Sequence, residues 1–242
     1  GLPAGTYNLI SGSGREAGEA LVTSPRVQAI TFTGSLEVGR RVASATAANL
    51  VKCQLEMGSK NALIVLDDAD LDVAVDAAFA GAYSGSGQKC TASSRLIVTD
   101  AVHDEFVAKL TEKLATATVG PALADGTQIG PVVSEEQLQA NLGYIELGKS
   151  EGAVLECGGT RLSMETEGYY MSPAVFTGTT NDMRINREEM FAPIACVIKV
   201  GSYAEALEVV NDTEFGLTSG IVTRSIARAT HFRRNARSGC VM

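Results

Sequence analysis

The sequence has 242 residues, of which 45% are hydrophobic and 20% charged, and a formal net charge of -8. This size predicts a globular protein with a sizeable core. The lysines and arginines are scattered, which argues against a nucleic-acid-binding face, because phosphate contacts need clustered positive charge. The apolar runs are all shorter than the roughly 18 residues of a membrane span, so we expect no membrane segment.

Five cysteines and two histidines are spread widely along the chain. Their spacing fits neither a structural zinc site nor a disulfide framework, so we expect no bound metal and a reducing, cytoplasmic environment. The sequence starts at Gly1 rather than methionine, and its last residues, Gly239-Cys-Val-Met242, resemble the beginning of a strand. We therefore expect an internal segment of a longer protein.

Short apolar runs alternate with segments of helical periodicity along the chain. The apolar runs predict strands at Val27–Thr33, Val51–Met57, Asn61–Leu66, Arg95–Thr99, Ala153–Cys157, Pro193–Val200 and Ser219–Thr223. The helical periods predict helices at Ser35–Ala47, Asp70–Tyr83, His103–Thr116, Ser134–Lys149, Tyr203–Asn211 and Ser225–Asn235. This alternation predicts an α/β fold with largely parallel strands.

The first candidate motif is the run Phe32-Thr-Gly-Ser-Leu-Glu-Val-Gly39, in which a predicted strand leads into a helix. Free N–H groups at a helix start, together with the hydroxyl of Ser35, can hold a phosphate. The glycine spacing matches neither a P-loop nor a dinucleotide fingerprint. An ordinary strand–turn–helix with Ser35 as the N-cap explains the run equally well.

The second candidate motif is Gln54-Leu-Glu-Met-Gly-Ser-Lys-Asn61. Glu56 stands at a predicted strand end beside a glycine, where α/β folds place reactive groups. A carboxylate there suits a general base if burial raises its pKa. The alternative is a surface glutamate paired with Lys60, and the motif taken alone favours this alternative.

The third candidate motif follows the predicted helix that Asp70 begins as its N-cap. The helix should end near Gly85 and Gly87, because glycine releases the backbone from helical geometry. Cys90 comes three residues after Gly87, on a loop that ends at the strand from Arg95.

Two interpretations of Cys90 are open. It can be an inert buried residue, since cysteine is among the most buried residue types. Its polar neighbours favour the other interpretation, a nucleophile on a loop between rigid elements whose thiolate Lys89 helps to stabilise.

The fourth candidate motif is Arg187-Glu-Glu-Met-Phe-Ala-Pro193, directly before a predicted strand. A carboxylate in such a loop can accept hydrogen bonds from both hydroxyls of a ribose. The alternative is an ordinary charged loop, which is the simpler explanation when the motif stands alone.

Taken together in this order and spacing, the four motifs resemble the aldehyde dehydrogenase superfamily. The resemblance runs from residue 1 to residue 242, and Glu56 precedes Cys90 by 34 residues, as the family's glutamate and cysteine do. It implies an aldehyde dehydrogenase-like α/β fold. Residues 1–58 would be the end of a Rossmann-like NAD(P)-binding domain, and residues 59–242 most of an α/β catalytic domain.

The resemblance implies a catalytic role for two residues. Cys90 attacks the aldehyde carbon, hydride passes to NAD or NADP, and Glu56 activates the water that hydrolyses the resulting thioester. The backbone N–H of Cys90 supplies half of the oxyanion hole. Family members that transfer the acyl group to coenzyme A lack this glutamate, so Glu56 implies release of a free carboxylic acid.

The resemblance also implies a cofactor site. Gly34 and Ser35 lie where the family holds the cofactor pyrophosphate, and Gly39 is assigned to the same site. Glu189 is expected to bind the nicotinamide ribose, and Phe191 to pack near the nicotinamide. The sequence leaves the choice between NAD and NADP open.

Three longer runs resemble bacterial α-ketoglutaric semialdehyde dehydrogenases, and they imply oxidation of that semialdehyde to 2-oxoglutarate. These runs are Gly87–Arg95, Met183–Glu189 and Phe215–Arg224. Succinic semialdehyde or another short semialdehyde is the alternative substrate.

Two positions depart from the family pattern, because Ser59 and Ala192 stand where glycine is usual. A methyl group at Ala192 would narrow the pocket if the backbone there needed a positive φ. The resemblance further implies that the rest of the cofactor site, the second oxyanion donor and the assembly segment lie outside these residues.

We therefore expect an active homodimeric or homotetrameric full-length parent, and an inactive isolated chain. Two alternatives from other classes remain. One is a non-catalytic fragment or scaffold, and the other is a cysteine hydrolase that uses His103 or His231 as its base.

Overall fold

A computed structural model describes all residues from Gly1 to Met242. The chain divides into two compact units, Gly1–Gly58 and Ser59–Met242. The division falls at the position where the sequence analysis separates a cofactor domain from a catalytic domain. The functional assignment of the two units stays a prediction.

The structure contains eight α-helices and eleven strands, with a π-helical turn at Gly14–Gly18 and a 3-10 turn at Ser84–Gly87. The helices are α1 (Glu19–Thr23), α2 (Leu36–Ala48), α3 (Leu71–Tyr83), α4 (Asp100–Ala115), α5 (Glu135–Ser150), α6 (Arg184–Arg187), α7 (Tyr203–Asn211) and α8 (Ile226–Asn235). The strands are β1 (Ala29–Gly34), β2 (Lys52–Met57), β3 (Ala62–Val65), β4 (Arg95–Thr99), β5 (Val154–Cys157), β6 (Arg161–Leu162), β7 (Tyr170–Met171), β8 (Ala174–Thr179), β9 (Ile194–Val200), β10 (Thr218–Val222) and β11 (Cys240–Val241). None of the helices combines the length and the apolar character needed to cross a membrane.

The first unit is built on a two-stranded parallel sheet of β1 and β2, which α2 connects. Helix α2 begins after Ser35, whose hydroxyl accepts a hydrogen bond from the N–H of Val38. The helix buries Gly39, Val42 and Thr46 on one face. This spacing of three and four residues is that of a helix with a single packed face.

The second unit contains a seven-stranded sheet in the order β11-β10-β3-β4-β9-β8-β5. Every neighbouring pair is parallel except β5 and β8, which run antiparallel at one edge. The central strands β3 and β4 are buried throughout. Such continuously buried strands are typical of parallel sheets that helices cover on both faces.

Alternating residues of β3 point to opposite faces of this sheet, as the pleat of a strand requires. Leu63 and Val65 pack in the cluster that includes residues of α3 and α4. Ala62 and Ile64 pack in a different cluster, with Phe232 of α8 and residues of α7. A third cluster joins α5 to β8 and β9. The sheet is therefore the middle layer of three.

The structure contains all the predicted strands and helices, with ends displaced by at most three residues. The N-cap at Asp70 is also confirmed, since its carboxylate accepts a hydrogen bond from the N–H of Val73 at 3.3 Å. The prediction missed α1, α6, the short β6–β7 pair and strand β8. The last omission matters most, because β8 lies inside the large sheet between β9 and β5.

Candidate active site

In the first unit, the predicted cofactor and base residues meet at one edge of the small sheet. The parallel register places Thr33 opposite Glu56 and Gly34 opposite Met57. The carboxyl ends of both strands and the start of α2 therefore lie together. In α/β folds, ligands bind at this edge of the strands.

Ser35 and Gly39 have visible structural roles at this edge. Ser35 is the N-cap of α2, as the simpler interpretation of the motif predicts. Gly39 is buried in the first part of the helix, where an added Cβ would lie 2.3 Å from the sulfur of Met57. Glycine at 39 thus allows α2 to approach β2 closely. Because Ser35 caps the N–H of Val38, the N–H groups of Leu36 and Glu37 are the ones left without a partner at this helix start.

Glu56 is exposed, and its Oε1 accepts a hydrogen bond from Nε2 of Gln54 at 3.2 Å. The burial that we invoked for a general base is therefore not found within this chain. The suggested pairing with Lys60 is wrong, because the Lys60 ammonium has no hydrogen-bond partner. Glu56 and Cys90 belong to different units of the chain.

Cys90 lies on an exposed loop directly after the 3-10 turn. The interpretation as a buried core residue is wrong for Cys90, whereas Cys196 on β9 is buried completely. The N–H of Cys90 donates no hydrogen bond within the chain, so it is available to an oxygen atom of a ligand. The suggested support from Lys89 is not seen, since the ammonium of Lys89 donates to the carbonyl oxygen of Ala80 at 3.1 Å.

The 3-10 turn before Cys90 depends on left-handed backbone geometry, with φ of 62° at Gly85, 59° at Ser86 and 67° at Gly87. An added Cβ at Gly87 would lie 2.0 Å from the carbonyl oxygen of Ala192. The backbone of the Cys90 loop thus touches the backbone of the fourth motif. Only glycine satisfies both the φ value and the close approach.

In the fourth motif, the strained backbone position is Phe191 rather than Ala192. Phe191 has a φ of 53° and a partly exposed side chain. Ala192 is buried and does not have a positive φ, so its methyl group packs in the core without the strain that we considered. The amide of Gln137 donates to the carbonyl oxygen of Met190 at 3.3 Å and helps to hold this turn.

The two adjacent carboxylates of the fourth motif differ in their surroundings. Glu188 is bound by Arg184 and by the hydroxyl of Tyr144. Glu189 has no cationic partner in an ion pair, and its Oε1 accepts a hydrogen bond from the N–H of Ser59 at 3.0 Å. Burial raises the pKa of Glu189, while the Ser59 N–H and the charge of Lys60 act in the opposite direction. Glu189 is thus the carboxylate left with an oxygen free for a ligand.

The segment Ser59–Asn61, directly before β3, joins the two loops. Ser59 binds Glu189 through its main chain, and Asn61 donates from its side chain to the carbonyl oxygen of Cys90 at 2.7 Å. A narrow cleft lies here, and its lining includes Ser59, Gly87 and Glu189. The structure therefore brings Cys90 and Glu189 to one region of the second unit.

Lys60 is the residue of this segment that sequence reasoning misjudged. It is buried to 1% exposure, and its ammonium has no hydrogen-bond partner. Burial lowers the pKa of Lys60 to about 8, and the Arg95 guanidinium adds to this effect. The sequence held one indication of this burial, since the polar residues Ser59, Lys60 and Asn61 stand immediately before the wholly apolar strand β3.

The two histidines are engaged away from Cys90. His103 on α4 contacts the carboxylate of Asp104 at 2.7 Å, and His231 on α8 contacts the hydroxyl of Tyr203 at 2.8 Å. The cysteine hydrolase alternative therefore has no base beside the thiol in this structure. No group of three or more His, Cys, Asp or Glu side chains is arranged to hold a metal ion.

The exposed cysteine loop and the free carboxylate on this parallel sheet fit the family that the motifs resemble. The model of the aldehyde dehydrogenase family matches residues 1–242, and the chain belongs to that family. It is 44% identical to an α-ketoglutaric semialdehyde dehydrogenase of Bacillus subtilis, over 100% of this chain and 50% of the relative. It is 42% identical to a betaine aldehyde dehydrogenase of Rhizobium johnstonii, over 95% of this chain and 47% of the relative.

A solved structure supports the same assignment. A betaine aldehyde dehydrogenase from Staphylococcus aureus in complex with NAD+ superimposes with a TM-score of 0.97 at 34% identity. The match covers 100% of this chain and 48% of that structure. The chain spans about half the length of the curated relatives it matches.

Proposed function

We propose that the full-length parent of this chain is an NAD(P)-dependent aldehyde dehydrogenase that oxidises an aldehyde to a carboxylic acid. The observation that carries the proposal is the Cys90 loop, which presents an exposed thiol and an unpaired N–H from one residue. We assign residues 1–58 to the cofactor domain and residues 59–242 to the catalytic domain. Five free cysteines are consistent with a reducing, cytoplasmic location.

In this proposal, the Cys90 thiolate attacks the carbonyl carbon of the aldehyde, and a C–S bond forms. The negative charge that develops on the substrate oxygen is stabilised by the N–H of Cys90, which has no other acceptor. The resulting thiohemiacetal carbon then loses a hydride and becomes a thioester. Glu56 takes a proton from the water that attacks this thioester, and the acid leaves as the Cys90 thiol is restored.

The nicotinamide cofactor, when bound, supplies the hydride acceptor. The residues of the chain fit such a group in two places. Oε1 of Glu189 already accepts a hydrogen bond from the N–H of Ser59, which holds the carboxylate in place. Its other oxygen is unpaired and can accept hydrogen bonds from the hydroxyls of a ribose. The start of α2, which directly follows Gly34 and Ser35, offers N–H groups to a pyrophosphate. Gly39 contributes by allowing α2 to pack against β2, and Phe191 offers an exposed ring.

We propose α-ketoglutaric semialdehyde as the substrate, supported by the 44% identity to the Bacillus subtilis enzyme. Betaine aldehyde is the competing substrate, because relatives of that specificity are 41% to 42% identical. Succinic semialdehyde is a further candidate. We also propose that the parent is a homodimer or homotetramer, and that the 242-residue chain alone is inactive.

The test is a steady-state assay of the full-length parent with NAD and with NADP, using each of these three aldehydes. We expect the highest kcat/KM with α-ketoglutaric semialdehyde, and loss of turnover in Cys90→Ala. Cys240→Ala is the matched control, because Cys240 is also exposed, and it should retain turnover. Turnover that survives in Cys90→Ala, or a folded parent that oxidises no aldehyde, would contradict the proposal. The isolated chain in the same assay tests whether it is inactive.

A further inference from the structure

Asn61 is a buried amide that ties the Cys90 loop to the large sheet. Its Nδ2 donates to the carbonyl oxygens of Cys90 at 2.7 Å and of Ala92 at 3.0 Å. Its Oδ1 accepts a hydrogen bond from the N–H of Thr218 on β10 at 2.9 Å. Asn61 is 2% exposed; its bonds to Ala92 and Thr218 are buried, and its bond to Cys90 is partly buried. Both amide hydrogens and one oxygen lone pair are therefore used in defined directions.

The Cys90 loop has few other restraints near the thiol. The N–H of Cys90 donates to nothing in the chain, and Asn61 is the only donor to its carbonyl oxygen. The next restraint is a turn in which the N–H of Ala92 donates to the carbonyl oxygen of Lys89. Asn61 itself is well anchored, since it directly precedes β3 and its carbonyl oxygen accepts from the N–H of Arg95.

We propose that Asn61 is a positioning residue that sets the orientation of Cys90 in the reaction. A peptide unit is planar, so fixing the carbonyl oxygen of Cys90 fixes the plane of the following peptide. A second fixed carbonyl, at Ala92, holds the loop on the other side of Thr91. The amide of Asn61 thus restrains the main chain that carries the thiol and the N–H of Cys90. This inference rests on the proposed function of the Cys90 loop.

The consequence is a large effect on catalysis from a residue that does not touch the substrate. Misplacing a reacting group by about 1 Å can cost on the order of 100-fold in rate. In Asn61→Ala both bonds to the loop are lost, and we expect kcat to fall by about 10- to 100-fold. The dissociation constant for the cofactor should stay within about threefold of wild type, because Asn61 acts on the cysteine. Asn61→Ser keeps one hydroxyl donor and should recover part of the rate.

The experiment measures the hydride-transfer burst, kcat and cofactor binding in the full-length parent. The matched control is Asn211→Ala in another part of the second unit. The Asn211 amide also bridges two main-chain groups, the carbonyl oxygen of Asn235 and the N–H of Arg237. The control should lose thermal stability but keep the burst rate within about threefold. A burst rate in Asn61→Ala that matches this control would overturn the proposal, as would a uniform loss of cofactor binding.

A second measurement keeps the inference separate from the proposed function. Site-resolved alkylation by iodoacetamide reports the reactivity of Cys90 without any aldehyde or cofactor. We expect the rate constant at Cys90 to change at least fivefold in Asn61→Ser, while the rate at Cys53, which is exposed on β2 in the first unit, does not change. An unchanged rate at Cys90 would refute the positioning role. Absence of Cys90-dependent turnover in the wild type, with an altered alkylation rate in the variant, would reject only the proposed function.

Discussion

The buried ammonium of Lys60 should make the stability of the protein depend on pH in a way that one substitution removes. Its pKa falls from 10.5 in the unfolded chain to about 8 in the folded protein, mainly because burial disfavours the charged form. A shift of one unit corresponds to about 1.4 kcal/mol. Below pH 8 the charged Lys60 therefore lowers the free energy of unfolding by roughly 3 kcal/mol relative to its neutral form.

The sign follows from the protons bound in each state. Between pH 8 and 10.5 the unfolded chain keeps the Lys60 proton and the folded protein has lost it, so stability rises with pH in this window. In Lys60→Met this contribution disappears, and the variant should be the more stable protein at pH 7. The free energy of unfolding of Lys60→Met minus that of wild type should shrink by roughly 2 to 3 kcal/mol between pH 7 and pH 10, because Lys60 in the folded wild type loses its charge.

The assay is urea unfolding of both proteins at pH 7, 8, 9 and 10, followed by circular dichroism. Groups that titrate in both proteins largely cancel in the difference, which isolates Lys60. The control is Lys109→Met, because Lys109 is paired with Asp72 at the surface and its pKa is raised. The difference in the free energy of unfolding between Lys109→Met and wild type should stay constant from pH 7 to pH 10. A flat difference for Lys60→Met as well would show that the reasoning about its burial is wrong.

Two further predictions concern the loop and the base. Gly87→Ala should lower the free energy of unfolding by at least about 2 kcal/mol more than Gly85→Ala, measured by urea unfolding. Both positions have a positive φ, but only a Cβ at Gly87 would meet the carbonyl oxygen of Ala192, at 2.0 Å; equal losses would contradict the proposed close packing. Glu56→Gln in the parent should keep the hydride-transfer burst and slow the later turnovers by about 100- to 10,000-fold, observed by rapid mixing. A lost burst with unchanged acyl hydrolysis would assign Glu56 a different role.

Local sequence patterns were sufficient for most of the secondary structure. Strands such as β4 are short apolar runs between polar segments, and helices such as α3 combine an N-cap with a repeating buried face. Strand β8 was missed because Gly178 and two threonines interrupt its apolar pattern, and because β9, which pairs with it, lies about 20 residues further along the chain. Helix α6 has only four residues, which is too short for a periodic signal.

The candidate site shows the same division between local and long-range information. The sequence by itself determined the family and the candidates Cys90, Glu56 and Glu189, because the order and spacing of the four motifs are properties of the sequence alone. It did not determine which side chains support them. Asn61 meets the carbonyl oxygen of Cys90 across 29 residues and the N–H of Thr218 across 157 residues.

Only the tertiary structure decided the environments of these residues. It buried Lys60 without a partner, directed Lys89 to Ala80, and placed the positive φ at Phe191. Burial, hydrogen-bond partners and backbone strain depend on which elements pack together. A pattern of residue types along the chain does not contain those contacts until the sheet is assembled.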